Sequence, residues 1–444
     1  MKTKPVARGK RTHCLAELHP PLTGDEARLE ASRCLYCHDA PCTRACPTHI
    51  DVPRFIRRIL HRDPLGAART ILDANIFGGS CARVCPTEVL CEGACVDNTL
   101  LRSPVQIGRL QRFACDQADA AGVNFHQPGS TTGRSVAVVG AGPAGLTCAH
   151  ELRKFGHSVV VFEARQVAGG LNTLGIAPYK LSTEFALTEV ERIRRMGVEL
   201  RLDQRVDGAG VARLLNEHDA LFLGVGLGHT APLKIPGERL SGVWEALDFL
   251  FQTHTKPLRR CEVGRHVVVI GGGNTATDVA NVAARLGAES VTVAYRRDAT
   301  SMPAFRHEHD LAVASGVRFE WLAQPSRLIG RAGSLTGVRL VRTRLEGRGR
   351  RAKVVPVPRS GFTLPADMVV KALGQEPLLD LLRAIPRLKL SRDGRVATDP
   401  ATGATSVPRL FAGGDCQKGA REEVVNAVQA GKVAANAIHE MLSR

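Results

Sequence analysis

Eight of thirteen cysteines lie between Cys34 and Cys95, and two separate apolar strands each run into a glycine-rich turn and then a helix. These observations predict an α/β chain. An N-terminal helical domain held by its cysteines comes first, followed by two Rossmann-like nucleotide-binding domains, the second inserted in the first. The 444 residues, 44% apolar and 23% charged, supply enough side chain for several cores, which excludes a disordered or fibrous chain. No uncharged apolar run is long enough for a membrane helix. Met1-Lys2-Thr3-Lys4-Pro5 is basic but leads into no apolar stretch, so no secretory signal is read there and the expected location is the cytoplasm. Aromatic residues are only 4%, a poor supply for stacking bases. The net charge of +17 is spread along the chain, and its densest stretch, Arg342 to Arg359, reads as a solvated hairpin. Anionic cofactors or an acidic partner would offset that charge, and neither nucleic acid nor membrane is expected to bind.

The cysteines come in two groups: Cys34-x2-Cys37-x4-Cys42-x3-Cys46-Pro47, and Cys81-x3-Cys85-Pro86-x4-Cys91-x3-Cys95. Cys-x3-Cys-Pro-Thr recurs at 42–48 and 81–87, a weak internal repeat. Structural zinc prefers two close ligand pairs across a spacer. Four thiols within thirteen residues, the last before a proline, instead fit a ferredoxin-type run, which often lends its last cysteine to a second cluster. Eight thiols satisfy two four-iron clusters, or leave one cysteine idle; spacing does not choose. Around them the chain reads as helices. Thr23-Gly24-Asp25-Glu26 is a capping box, and Pro53 suits the first turn before Phe55–Leu60. Residues 1–128 are therefore expected to form a helical iron–sulfur domain binding two [4Fe-4S] clusters, closed by a linker at 127–134.

Val136–Val139 reads as a buried strand and leads into Gly140-Ala141-Gly142-Pro143-Ala144-Gly145 and a helix. This is a dinucleotide turn in its required context, where glycines admit a pyrophosphate to the helix N-terminus. A second strand, Ser158–Phe162, ends at Glu163, placed to bond a ribose hydroxyl. The pattern recurs: His266–Ile270, then Gly271-Gly272-Gly273-Asn274-Thr275-Ala276, a helix, and the strand Val291–Tyr295. Where an acid would select the 2′-hydroxyl stand Arg296 and Arg297, which favours a 2′-phosphate and so NADP.

Two nucleotide folds in one chain suggest FAD plus a nicotinamide. Leu410–Asp415 precedes a C-terminal helix, and Gly414 and Asp415 can meet the flavin's ribityl or pyrophosphate region. The FAD-binding domain is thus expected to be discontinuous, 134–255 and 371–444, around an NAD(P)-binding domain at 256–370. The apolar runs Ala220–Val225 and Met368–Leu373, the latter followed by Gly374, are expected to be the crossings.

The whole chain resembles the flavin and iron–sulfur subunit of bacterial dihydropyrimidine dehydrogenase and, more distantly, the small subunit of glutamate synthase. The resemblance is carried by Cys34-Leu35-Tyr36-Cys37-His38-Asp39-Ala40-Pro41-Cys42, Cys81-Ala82-Arg83-Val84-Cys85-Pro86-Thr87-Glu88 and Ile107–Phe113. It implies one cluster on Cys34, Cys37, Cys42 and Cys95 and another on Cys46, Cys85, Cys91 and Gln111, with Cys81 idle. Read from the residues alone, Gln111 is a plain helix residue. It also implies that Gly169, Gly170 and Leu171 approach the flavin ring and that Lys180, the candidate catalytic residue, stands beside it. Relatives often carry Arg at that position; Lys180 keeps the charge but not the fork geometry. The chain is equally similar to the N-terminal half of the larger animal dihydropyrimidine dehydrogenase, and this resemblance implies a further phosphate-binding Arg near Pro303 that is missing here, so NADP and NAD both stay open.

The implied activity is oxidation of NAD(P)H by hydride transfer to FAD, with single electrons then passing through two clusters to an FMN and iron–sulfur partner that reduces uracil or thymine. A glutamate synthase-like electron donor shares every cofactor; Gln111 and the Cys-His-Asp-Ala-Pro-Cys run lean to the pyrimidine branch. A zinc-stapled, nucleic-acid-binding regulator is the reading of a different class. It would be colourless and bind DNA with steep salt dependence.

Overall fold

The computed structural model describes residues 14–347, 349 and 352–444. The basic start at Met1–Pro5 and part of the Arg342–Arg359 stretch lie outside them. The chain begins with helices α1 (Gly24–Ala31), α2 (Pro41–Ala45), α3 (Val52–Leu60), α4 (Pro64–Ala74), α5 (Gly78–Val84), α6 (Val96–Leu100) and α7 (Ile107–Ala120). Their starts follow the sequence. The Thr23 hydroxyl accepts from the Glu26 amide (3.3 Å) while the Glu26 carboxylate accepts from the Thr23 amide (2.8 Å). Asp51 and Asp63 cap α3 and α4, each helix with a proline in its first turn. Phe55, Ile56, Ile71 and Leu110 fill the core between these helices, and five of the clustered cysteines pack against it from its edge.

The next stretch contains β1 (Ser135–Val139), α8 (Pro143–Lys154), β2 (Ser158–Phe162), α9 (Leu171–Leu174), α10 (Thr183–Arg194), β3 (Glu199–Arg201), α11 (Gly208–Glu217) and β4 (Ala220–Leu223). Then come β5 (Val243–Glu245), α12 (Ala246–Thr255), β6 (His266–Gly271), α13 (Asn274–Arg285), β7 (Ser290–Tyr295), α14 (Arg306–Ala314) and β8 (Arg318–Trp321). Strands β9 (Ala323–Arg331), β10 (Ser334–Glu346), β11 (Lys353–Pro356), β12 (Phe362–Pro365) and β13 (Met368–Ala372) follow. The chain closes with α15 (Leu379–Arg383), β14 (Leu410–Ala412) and α16 (Val424–Leu442).

Two parallel five-stranded sheets result, ordered β14-β4-β1-β2-β3 and β5-β13-β6-β7-β8. Near-continuous apolar strands such as Val136–Val139 and Val267–Ile270 are what a sheet covered on both faces demands. Strand β14 returns from the far end of the sequence to pair with β4, so the first sheet is built from both sides of the insertion. The basic stretch forms the antiparallel β10–β11 pair, with Glu346 opposite Lys353, as a solvated hairpin should.

The structure has two compact units. One holds 14–17, 174–179 and 228–376; the other holds 18–173, 180–227 and 377–444. This differs from the expected boundaries in two ways. Residues 228–255 and 371–376 belong with the second sheet, because β5 bonds in parallel register to β13, Val243 opposite Val369. The expected crossings run along the strands β4 and β13, and the chain changes unit just beyond each of them. The cysteine-bearing helices are also not a separate body. Ile76 and Phe77 share one core with Val136, Val138 and Phe222 of the first sheet.

Candidate cofactor sites

Proline places two of the thiols. Cys46 and Cys85 each end a short helix, in extended conformation (φ −78°, ψ 120° and φ −65°, ψ 140°), because the residue before a proline is pushed out of helical geometry. The Cys-Pro-Thr repeat is therefore a repeated helix stop. Cys95 sits at the mirror position, extended just before α6.

Cys34, Cys37, Cys42 and Cys95 line one small cavity with Leu35, Pro41, Val96 and Asp97. Burial raises the Cys34 thiol and raises Cys42 to about 11, and neighbouring thiols add to it. Cys46, Cys85 and Cys91 form a second group. A hydrogen bond with Cys81 and burial push Cys85 far up, with Cys91 and Cys46 adding to the rise, and burial raises Cys91 with Glu92 and Cys46 contributing. The structure brings Cys81 into this group as well. Its sulfur accepts from Asn75 Nδ2 at 3.2 Å. Gln111, on α7, is 7% exposed, and its amide nitrogen donates to the Gly78 carbonyl (2.6 Å), one turn before Cys81. Among the described residues no three His, Cys, Asp or Glu close on a single ion. Two separate sets of soft thiols at the edge of an apolar core are the donor chemistry of iron–sulfur clusters, which need thiolates and release the protons on binding.

The second thiol group lies where the helices meet the first nucleotide fold. Glu189, on α10 and fully buried, accepts from the amides of Gly79 (3.0 Å) and Ser80 (3.1 Å), and the Ser80 hydroxyl donates to its other oxygen. Burial pushes this carboxyl up to about 7 against the pull of Arg192 and the Ser80 bonds. Arg192 pairs with Asp119, and Arg83 stacks 3.7 Å over the Phe185 ring. From α16, Lys432 donates to the Ala74 carbonyl (2.5 Å). No sequence motif marks these residues; a Glu and an Arg three apart on an amphipathic helix read as solvent-facing.

In the first glycine turn, Gly140 has φ +102° and a Cβ there would stand 2.4 Å from the Gly224 carbonyl oxygen. At Gly142 a Cβ would meet nothing within 4 Å, and the N-terminus of α8, beginning at Pro143, has no side-chain cap. Open space before uncapped amides is the form of a phosphate cradle. Ala141 and Ala144 are buried beneath it, and a Cβ on Gly145 would strike the Gly140 carbonyl. Glu163 follows β2; its two oxygens accept from the amides of Ala141 and Arg165, both at 2.9 Å. Each oxygen keeps a lone pair that can accept from a ribose hydroxyl. The Gly169 amide donates to the Ala141 carbonyl (2.7 Å), Gly170 lies against Gly142, and Leu171 opens α9. Lys180 is half-buried and belongs to the same unit. Gly414, with φ +74°, brings its turn against Ala144. In that turn burial pushes the Asp415 carboxyl up to about 6, Glu422 adding and Arg395 opposing.

The second glycine turn repeats this geometry in the other unit. A Cβ on Gly271 would stand 2.1 Å from the Ala372 carbonyl oxygen, one on Gly272 would strike the Tyr295 ring, and one on Gly273 would meet open space before α13, also uncapped. Asn274 Oδ1 accepts from the Phe305 amide (2.9 Å), and Thr275 is exposed on the first turn. Arg296 is exposed at the end of β7. Arg297 is held differently, donating to the Ala352 carbonyl at 2.7 Å. Gly374, φ +88°, faces open space past β13. The sequence reading missed Tyr179, whose hydroxyl donates to Asp278 at 3.0 Å within this unit.

Residues 134–431 match the pyridine nucleotide-disulphide oxidoreductase family, and residues 11–123 match dihydropyrimidine dehydrogenase domain II, 4Fe-4S cluster. The chain is 36% identical to the glutamate synthase [NADPH] small chain of Escherichia coli (strain K12), covering 96% of this chain and 93% of that one. It is also 36% identical to the NAD-dependent dihydropyrimidine dehydrogenase subunit PreT of Salmonella typhimurium, covering 96% and 97%. Among solved structures, T. acidophilum thioredoxin reductase aligns with a TM-score of 0.54 at 20% identity, over 70% of this chain and all of that one, a likeness of fold alone. With the glycine turns and thiol sets in place, the chain belongs to the pyridine nucleotide-disulphide oxidoreductase family, as an NAD(P)H-dependent flavin and iron–sulfur oxidoreductase.

Proposed function

We propose that this chain is the electron-input subunit of a dihydropyrimidine dehydrogenase. One observation carries the electron-input reading: the thiol-bearing helices and the first glycine turn share one continuous core, with Ile76 and Phe77 packed among Val136, Val138 and Phe222. A flavin held at that turn and clusters held by those thiols would sit in one rigid frame, which single-electron transfer requires.

In this reading the turn Gly140–Gly145, with Glu163 and Asp415, holds FAD, and Gly169, Gly170, Leu171 and Lys180 border its ring. The turn Gly271–Thr275, with Arg296, Arg297 and Gly374, holds the nicotinamide nucleotide. Cys34, Cys37, Cys42 and Cys95 hold one cluster; Cys46, Cys85, Cys91 and Gln111 hold the other. The flavin supplies the exchange between a two-electron donor and one-electron carriers. The chain's own residues bind, align and insulate; no general base is needed. Lys180 keeps a positive charge near the ring and favours its anionic reduced form. The net reaction is NAD(P)H + H⁺ + uracil → NAD(P)⁺ + dihydrouracil. Two electrons cross to an FMN-containing partner, and both protons are taken up there.

Gln111 leans the reading to the pyrimidine branch, because the resemblance implies Glu at this position more often in the glutamate synthase relatives. The test is co-expression with an FMN and iron–sulfur dihydropyrimidine dehydrogenase subunit, followed by anaerobic assay of uracil-dependent NADH and NADPH oxidation and of dihydrouracil. Dihydrouracil formed in step with nucleotide oxidation supports the reading. Turnover with only a glutamate synthase large chain and 2-oxoglutarate plus glutamine would sink it.

A further inference from the structure

The N-termini of α13 and α14 meet at the second glycine turn. Asn274 is the first residue of α13, and its Oδ1 accepts from the amide of Phe305 (2.9 Å), the residue before α14 begins. The Ala304 amide donates to the Gly272 carbonyl (3.1 Å). The loop that brings these residues back is closed on itself. Asp298 Oδ1 accepts from the Ser301 amide (2.8 Å), and the Tyr295 hydroxyl donates to the Ser301 carbonyl (3.1 Å). Neither helix has a side-chain cap. Each N-terminus is the positive end of a helix dipole, so two like ends are held together, with open space before Gly273.

Arg306 adds a third positive feature. It is the first residue of α14, where a cation opposes the helix dipole instead of complementing it. Its side chain is 93% exposed and pairs with Asp310 at 3.7 Å, itself 61% exposed, a geometry that contributes little in water. Helix stability therefore gives no reason for an arginine here. The nearby acids are engaged elsewhere. Glu308 is buried beside His307 (3.3 Å), Asp298 accepts from Ser301 and Thr300, and Asp278 accepts from Tyr179. Arg297 is committed to the Ala352 carbonyl, and Gly271–Thr277 contains no Lys or Arg. Two uncapped dipole ends and one loosely held guanidinium thus surround a turn that admits an anion.

We propose that the start of α14 is the second wall of the nicotinamide nucleotide site and that Arg306 clamps the pyrophosphate, the group that NADH and NADPH share. This rests on the reading of the second glycine turn as that site. A pyrophosphate bridge is an anion, and a guanidinium can bond two of its oxygens at once while the two helix ends offer it backbone amides. The two exposed arginines then divide the work. Arg296, at the end of β7, meets the 2′-phosphate and discriminates between the nucleotides. Arg306 holds both alike and sets affinity without specificity.

The test measures binding, not turnover. The holoprotein and its Arg306→Ala variant are titrated calorimetrically with NAD⁺, with NADP⁺ and with adenosine 2′-monophosphate, which has no pyrophosphate. The expected result is an affinity for NAD⁺ and NADP⁺ down about tenfold or more in each case, with adenosine 2′-monophosphate bound as before. The melting temperature without nucleotide should hold or rise slightly, because a cation has left a helix N-terminus. Arg306→Lys keeps the charge but not the fork and should recover part of the affinity. Arg296→Ala is the contrast, losing NADP⁺ and adenosine 2′-monophosphate while keeping NAD⁺. If Arg306→Ala binds both dinucleotides like the wild type while Arg296→Ala behaves as stated, the clamp is refuted and the second turn stays the nucleotide site. If neither variant changes any affinity, the reading of that turn falls too. A loss confined to NADP⁺ in Arg306→Ala would move Arg306 to the 2′-phosphate and overturn the clamp. So would a lower melting temperature with all three ligands weakened alike, which marks a structural role.

Discussion

At Glu189 a single side chain joins two parts of the fold, and its chemistry sets a pH dependence. Buried against Gly79 and Ser80, it is held up to about 7 chiefly by loss of solvent, with Arg192 and Asp119 the charges facing it. The folded state therefore binds this proton more tightly than the unfolded chain does. The stability it contributes is complete below about 4.5 and is lost as pH climbs through about 7. At about 1.4 kcal/mol per pH unit, the ceiling is about 3 kcal/mol. Glu189→Gln should flatten that slope, because a Gln oxygen still accepts from both amides and the Ser80 hydroxyl can turn to accept from its nitrogen. Melting temperatures of both proteins between pH 5 and 8 check this; parallel curves would refute it. Cys81 supports a second prediction. It lies within hydrogen-bond reach of Cys85, so five side chains, Cys46, Cys81, Cys85, Cys91 and Gln111, compete for four ligand places. Cys81→Ser should keep about eight iron atoms per chain, whereas Cys91→Ser should keep about four with FAD intact. Half the iron lost from Cys81→Ser would make Cys81 the ligand and Gln111 a bystander. The candidates themselves were legible, because cysteine spacing is covalent pattern. Which thiols share a cavity was not, since that depends on how seven short helices pack.

Elements show the same division. Strand, glycine turn and helix could be read twice from the sequence because the steric need is local: Gly140 and Gly271 each face a carbonyl of a neighbouring strand or of the segment following one. The contact of α16 with α8 could not be read, since it joins residues almost three hundred apart. It turns on Gly431, where a Cβ would lie 2.3 Å from the Ala144 carbonyl oxygen in the first glycine turn. Gly431→Ala gains helix propensity of about 1 kcal/mol but forces backbone apart. Overpacking of this kind costs about 1–3 kcal/mol, so the variant should melt lower and retain less flavin after gel filtration. Equal melting and equal flavin content would show that α16 shifts freely. At the end of β7 the two arginines part company. Arg297 is spent on the Ala352 carbonyl while Arg296 is exposed. Arg296→Ala should raise KM for NADPH about tenfold and leave KM for NADH nearly unchanged, the loss expected for one charge-assisted phosphate contact. Arg297→Ala should instead lower stability with little discrimination. An equal rise for both nucleotides in Arg296→Ala would remove the 2′-phosphate argument.

For the molecule as a whole, the insertion was legible from the order of motifs, because a second glycine turn between the first and the Gly414–Asp415 segment admits few topologies. The boundaries were not, and the reason is specific. Strand β5, Val243-Trp244-Glu245, is three residues long with no apolar run of its own, and only its pairing with β13 assigns it to the second sheet. The short segment 174–179 likewise goes to that unit through Tyr179 and Asp278, a bond no periodicity announces. What the whole chain must satisfy is an electron count. One flavin takes two electrons and each four-iron cluster takes one, so the loaded chain should accept about four from titanium(III) citrate under anaerobic titration. Cys91→Ser, keeping the flavin and the Cys34, Cys37, Cys42 and Cys95 set, should accept about three, and so should Cys37→Ala, keeping the Cys46, Cys85 and Cys91 set. A chain that accepts only about two electrons while holding about eight iron atoms would mean that its clusters lie below the reach of the reductant. A chain that accepts about three with about four iron atoms would mean that only one of the two thiol sets is built to hold a cluster.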